Sequence, residues 1–258
     1  MSKFTVIIPL HEFNESVETL LKRAIDSVPS GYEVRLSCKN GLSEQLKNLD
    51  VPSNVVIYES SDAESPSDFC SLVNQAVDGS EWFSVLEYDD MYEGNWFDNV
   101  EKWMEYHPET SMFVPLVDIM DFNDGKFIGY GNEAPWASSF SDEIGYIDFE
   151  SIKEFFNFYL CGSVINTKDW ETYGALKPSI KLTFWYEFLL RYTSNKKKIC
   201  VIPKVGYKHF VNREGSLMDE YDKNMSDDEA KFWFEKAKED YVWKNERDKS
   251  KYIYNKGA

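Results

Sequence analysis

The sequence predicts an α/β protein with a mostly parallel sheet and helices on both of its faces. Three observations predict it. Short β-rich runs alternate with helix-spaced segments from residue 4 to about residue 117. The first run is apolar almost throughout, as a strand buried on both faces must be. Polar or acidic turns follow three of the strands, at the carboxyl edge where open sheets of this kind bind ligands.

Phe4 to Pro9 is the first strand. Val17 to Val28 repeats apolar residues at helical spacing and stops at Pro29-Ser30-Gly31. Tyr32 to Ser37 is the second strand, Leu42 to Leu49 a short helix and Val55 to Tyr58 the third strand. Phe69 to Val77 is helical, Trp82 to Leu86 a strand, Trp96 to Tyr106 a helix and Met112 to Val117 strand-like. Asp118 to Asp148 has weak periodicity and much Gly, Asp, Asn and Ser, the character of a substrate loop or lid. Ile152 to Leu160 and Tyr186 to Tyr192 read as helices, and Lys198 to Val205 as a strand. Ser226-Asp227-Asp228-Glu229 is a capping box that opens a charged helix to about Lys244; Arg247 to Ala258 reads as a loosely held tail.

A chain of 258 residues can bury one sizeable core. Its 45 acids against 28 bases give a net charge of -17, a field that repels polyanions, so a nucleic-acid partner is not expected. The four cysteines are widely spaced, with no CxxC pair, which suits a reducing cytoplasm rather than a zinc or disulfide framework. No apolar run approaches the ~20 residues of a membrane span.

The densest chemical signal is Glu87-Tyr88-Asp89-Asp90, directly after the Trp82 to Leu86 run. Clustered carboxylates at a strand end repel one another unless a cation neutralises them. Alternation along an extended segment would put Glu87 and Asp89 on one side. Their hard oxygens suit Mg²⁺ or Mn²⁺ carrying a diphosphate. The same acids also fit an acidic turn favouring the N-terminus of the following helix. His209, read as lying just after a strand, can complete an oxygen-rich metal site, and Arg213 and Ser216 can hold phosphate oxygens. A satisfied surface histidine is the plainer reading of His209. His11 can sit near a base or ribose, whereas His107 reads as a helix-end residue. Asn40-Gly41 lets the backbone approach a nucleotide. Asn74 is either near the ligand or buried and structural. Glu187 and Arg191 are four apart on one helix face, as an ion pair or with Glu187 free as a general base.

Taken in order, the first strand, Asn40-Gly41, Asn74, Glu87-Tyr88-Asp89-Asp90, Gly162-Ser163-Val164, Gly174, Glu187 to Arg191 and Tyr207 to Leu217 resemble the family 2 glycosyltransferases of GT-A fold. The resemblance covers roughly residues 3 to 217, and the variant is similar to those of large tailed phages. It implies a GT-A-like (Rossmann-like) domain over residues 1–217, with a nucleotide-binding half of about 1–117 and an acceptor half of about 118–217. A C-terminal helix and tail over 218–258 would follow.

The resemblance implies a metal-dependent glycosyltransferase of hexosyltransferase type, moving a sugar from a UDP- or GDP-linked donor to a glycan or other hydroxyl acceptor, usually with inversion. It implies donor contacts from Pro9, Leu10, His11, Glu12, Lys39, Asn40, Asn74, Glu87, Tyr88, Asp89 and Arg213. Mn²⁺ or Mg²⁺ would lie on Glu87, Asp89 and His209, with Asp90 beside them. Three departures stand out: Glu87 replaces the usual Asp, Lys39-Asn40 replaces acidic residues, and Phe184-Trp185 replaces the Glu-Asp pair that normally supplies the base. Either Glu187 or a carboxylate of the Asp118 to Asp148 segment would then take the role of the base, or the activity is altered or lost; Glu187 and Asp90 are the catalytic candidates, and Trp136, Phe184 and Trp185 would meet the acceptor. A non-catalytic sugar-nucleotide or glycan binder on the same fold is the alternative. A nucleotidyltransferase ranks below it, because no Gly- and Lys-rich phosphate loop follows the first strand.

Overall fold

The computed structural model describes residues 3–60 and 68–241. One sheet runs through the molecule in the order β3-β2-β1-β4-β9-β6-β10-β5. Its strands are β1 (Phe4–Leu10), β2 (Glu33–Lys39), β3 (Val55–Ser60), β4 (Trp82–Val85), β5 (Met91–Tyr92), β6 (Thr110–Asp121), β9 (Val164–Asn166) and β10 (Lys198–Val211). Two further strands lie off this path: β7 (Phe127–Gly131) pairs β6, and β8 (Tyr146–Ile147) pairs β10. Strands β1, β2, β3 and β4 pair in parallel, as do β6 and β10. Strand β9 is antiparallel to both β4 and β6 and joins the two sets. The sheet is therefore mostly parallel, and its strands come from both halves of the chain.

Sequence dictates which helix covers which face. On β2, Ser37 Oγ donates to the Leu72 carbonyl and Arg35 donates to the Ala76 carbonyl, both within α3 (Asp68–Ala76). Phe4 of β1 points the other way and meets Phe97 of α4 (Trp96–Tyr106) at 5.5 Å between ring centroids. Alternating side chains thus commit α3 and α4 to opposite faces. Helix α1 (Glu15–Asp26) buries Val17, Leu21, Ala24 and Ile25, and Asn14 caps it by accepting from the Ser16 and Val17 amides. The remaining helices are α2 (Ser43–Leu46), α5 (Phe149–Glu154), α6 (Thr167–Tyr173), α7 (Phe184–Ser194), α8 (Leu217–Asn224) and α9 (Asp227–Lys238).

The structure departs from the sequence reading in four places. Asp118 to Asp148 is not a free lid: β6 runs on to Asp121, β7 returns beside it, and β8 joins β10. Helix α5 stops at Glu154 instead of reaching Leu160. The segment beyond it is held extended, because Asn132 donates to the Tyr159 carbonyl and accepts from its amide, while Phe140, Phe155 and Phe158 cluster edge to face. Strand β10 continues past Val205 to Val211, so His209 lies within a strand, opposite Ile119 of β6. Register shifts around Val205 bend that strand at Gly206, where a Cβ would sit 2.3 Å from the Trp96 ring. Finally, α9 closes at Lys238 rather than near Lys244, and the Arg247 to Ala258 tail lies outside the described residues. The described part of the C-terminal extension holds α8 and α9, with α9 against α7.

Candidate active site

The acidic motif leaves the sheet at once. Strand β4 ends at Val85, and the Asp90 amide donates back to the Glu87 carbonyl at 3.1 Å. This i to i+3 turn brings Glu87 and Asp90 to one side and turns Asp89 away. The alternation expected along an extended segment therefore does not operate, and the carboxylates sort differently from the sequence reading. Glu87, Asp90 and His209 each offer a ligand atom, all within 4.8 Å of one another. Asp89 instead accepts from Arg213 Nε at 2.6 Å.

Asp90 is fully buried and both its oxygens are used. Oδ1 accepts from the Phe210 amide at 2.8 Å, and Oδ2 lies 2.8 Å from His209 Nδ1. Glu87 Oε2 stands 3.8 Å from the same nitrogen. Burial alone would lower the His209 pKa; Asp90, Glu87 and Asp89 outweigh it and raise it to about 9. Burial, then the charge of Asp90, pushes Glu87 upward. Asp89 is raised by burial and by Asp90, against the pull of Arg213.

A second network lies beside the first. Arg213 Nη2 donates to the Tyr88 hydroxyl at 2.8 Å, and that hydroxyl donates to Glu12 at 2.9 Å. His11 is next to this pair, its ring 6.0 Å from that of Tyr88. The network joins the turn after β1 to the acidic turn and to the loop after β10. Ser216, three residues beyond Arg213, caps α8 by accepting from the Asp219 amide.

Beneath the acidic turn, the Glu87 amide donates to the Tyr207 hydroxyl at 3.1 Å. Gly162 backs that ring at φ 84°, where a Cβ would come within 2.4 Å of it. The adjoining Cys161 thiol interacts with both Glu87 and Trp185, and burial raises it far above its ordinary pKa. Trp185 packs on Phe184 at 5.8 Å between ring centroids, and Phe184 stacks on Phe69 at 5.3 Å.

The other sequence-predicted residues fall in three groups. Pro9 and Leu10 end β1, Lys39 ends the neighbouring β2, and Asn40 follows it. The Asn40-Gly41 turn is held by Glu59, which accepts from the Gly41 amide at 2.7 Å and from Ser43 Oγ at 2.8 Å. Asn74 is engaged by the Leu176 backbone, donating to its carbonyl and accepting from its amide. Both bonds are structural, tying α3 to the segment ahead of α7.

Glu187 is 1% exposed and bound by Arg191 at 3.0 Å, Lys177 at 2.7 Å and the Tyr241 hydroxyl. That leaves no free carboxylate to act as a base. Trp136 donates to the Val201 carbonyl, eight positions along β10 from His209, and packs on Trp103. This places it away from the acidic cluster. Sequence reasoning missed Tyr207, Cys161 and Arg23, whose Nη2 donates to the Asp89 carbonyl. Tyr207 stood in the sequence only as the first residue of the Tyr207 to Leu217 motif, with no role given to it, and Cys161 only as the neighbour of Gly162-Ser163-Val164.

No protein-family description and no curated protein matches the chain. Solved structures do resemble it. A structure of Staphylococcus aureus TarS 1-349 in complex with UDP-GlcNAc has a TM-score of 0.55 at 15% identity, over 84% of this chain and 60% of that one. TarS itself gives 0.55 at 16% identity, over 85% and 38%. TarS 1-349 gives 0.54 at 15% identity, over 94% and 73%. The chain therefore spans less than two thirds of the first two, and the likeness shows the shared fold: the GT-A-like sheet that the sequence predicts.

Proposed function

We propose that this protein is a metal-dependent glycosyltransferase that takes a UDP- or GDP-linked sugar and transfers it, with inversion, to a hydroxyl of a glycan or similar acceptor. The observation that carries the reading is the convergence of Glu87, Asp90 and His209 at the carboxyl edge of the sheet, with Arg213 beside them. The fold supports it, since TarS in complex with UDP-GlcNAc and with UDP shares that fold.

Two carboxylates and an imidazole, all within 4.8 Å, fit Mn²⁺ or Mg²⁺. Glu87, Asp90 and His209 would hold the ion, which would neutralise charge on a departing diphosphate. Arg213, anchored on Asp89 and Tyr88, supplies a fixed positive charge to the same group. His11, Glu12, Lys39 and Asn40 offer nucleoside contacts, and Trp185 offers a ring face for a sugar. The chain reads as cytoplasmic; no helix among the described residues is long and apolar enough to cross a membrane.

One observation favours a second reading, a non-catalytic sugar-nucleotide or glycan binder. The first turn of α7 presents Phe184 and Trp185, and its one carboxylate, Glu187, is consumed by Arg191 and Lys177. Calorimetric titration of UDP and GDP, with and without Mn²⁺, tests donor binding. Asp90→Asn should abolish the metal-dependent part with the fold intact, and unchanged binding would refute the site. Release of UDP or GDP from sugar nucleotides separates the enzyme from the binder.

A further inference from the structure

Helix α1 reaches the acidic site from behind. Asn14 caps its start just after His11 and Glu12, and its C-terminal end touches the acidic turn at one point and β5, the strand that follows it, at another. Arg23 Nη2 donates to the Asp89 carbonyl at 2.5 Å, and the Tyr92 amide donates to Ser27 Oγ at 3.1 Å. The Arg23 guanidinium also covers the Phe210 ring, 4.4 Å from its centroid. Phe210 is the neighbour of His209, and its amide donates to Asp90.

Arg23 differs from the other arginine at the site. Arg213 is paired with a carboxylate, whereas Arg23 has no carboxylate partner among the described residues. Its Nε is buried with no hydrogen-bond partner. A partly buried cation whose Nε is left without a partner is costly unless its position serves something else. The three parts it touches are the acidic turn, β10 and its own helix, and these are the parts that must stay in register for Glu87, Asp90 and His209 to converge.

We infer that Arg23 is a positioning residue. Its guanidinium bolts the Asp89 carbonyl to the Phe210 ring and so fixes the two chain segments that carry the Glu87, Asp90 and His209 cluster. The inference rests on the proposed metal site for its functional meaning, and on the contacts alone for its structural one.

The sign of one experiment separates positioning from simple electrostatics. Removing a positive charge beside a cation site should tighten cation binding through Coulomb's law. Removing a positioning group should loosen it. Titration of Mn²⁺ into wild type, Arg23→Met and Arg23→Lys reads this directly. We expect Arg23→Met to bind Mn²⁺ about 10-fold or more weakly, the scale of losing an outer-sphere partner, with partial recovery in Arg23→Lys.

Amide hydrogen exchange gives a reading that needs no metal. Arg23→Met should lose protection at the Phe210 and Asp90 amides while β1 and β2 keep theirs. Tighter or unchanged Mn²⁺ binding together with unchanged Phe210 protection would overturn the inference. Wild-type protein that binds no Mn²⁺ would sink the metal reading of the site, and the exchange data would still decide the role of Arg23.

Discussion

Arg213 and Asp89 are joined by a 2.6 Å ion pair that spans 124 residues of sequence, and both side chains are largely buried. The pair draws the loop after the last strand onto the acidic turn. It also explains why Asp89, the expected metal ligand, stands outside the metal-competent cluster.

Arg213→Met should weaken UDP binding roughly tenfold, the worth of one charge-assisted contact to a diphosphate. It should also destabilise the fold by about 1.5–3 kcal/mol, because Asp89 loses a hydrogen bond to a charged group. Calorimetry and urea unfolding measure the two effects separately. The double variant with Asp89→Asn should recover part of the stability and none of the nucleotide affinity.

His209→Ala and Asp90→Asn should each cost about 10–100-fold in Mn²⁺ affinity, since Asp90 both offers an oxygen and orients the imidazole through Nδ1. Asp89→Asn should cost far less. Equal losses at Asp89 and Asp90 would show that the turn rearranges on binding.

Acidity gives an independent check. The folded His209 titrates at about 9, against an ordinary 6.5, so the folded state holds its proton more tightly than the unfolded state. The stability this provides is complete below pH 6.5 and disappears as pH rises through 9. Glu87 is shifted in the same direction, and its contribution likewise falls with rising pH. Metal-free protein should therefore melt at lower temperature as pH goes from 6.5 to 9. Metal binding must expel those protons, so Mn²⁺ affinity should rise over the same interval. Titration in buffers of different ionisation enthalpy counts the protons released.

Glu187→Gln should destabilise the protein by ~3–5 kcal/mol, the cost of stripping a buried cation of its partner. Nucleotide affinity should be unchanged. A variant of wild-type stability that has lost sugar transfer would instead return Glu187 to a catalytic role.

Much of the frame was legible in the sequence because buried parallel strands announce themselves. Phe4 to Pro9, Trp82 to Leu86 and Met112 to Val117 are apolar runs with no competing period, and each lies in the sheet. Strand β9 was not legible: Val164 to Asn166 is three residues long, and only its place between β4 and β6 makes it a strand. The extension of β10 to Val211 rests on its pairing with β6, where Lys208 and Asn212 gave no alternating pattern to read. At the site, residue types were informative and geometry was not. Three acids in four positions marked the right place, but one backbone turn exchanged the parts of Asp89 and Asp90. Glu187 looked available because sequence spacing shows Arg191 alone; Lys177 and Tyr241 reach it only through the fold.

The placement of β10 between β6 and β5 has a kinetic consequence. Its partners β6 and β5 lie about 90 and 115 positions earlier in the chain, the kind of non-local closure that slows folding. During synthesis, Glu87 and Asp90 emerge long before His209. Until the late strand inserts, the acidic turn has neither its imidazole nor its Phe210 amide, and a nascent chain of the first 200 residues carries no assembled site. Assembly of the cluster therefore waits on β10, and a cation that favours the completed cluster would act on that closure as a clasp rather than as a nucleus.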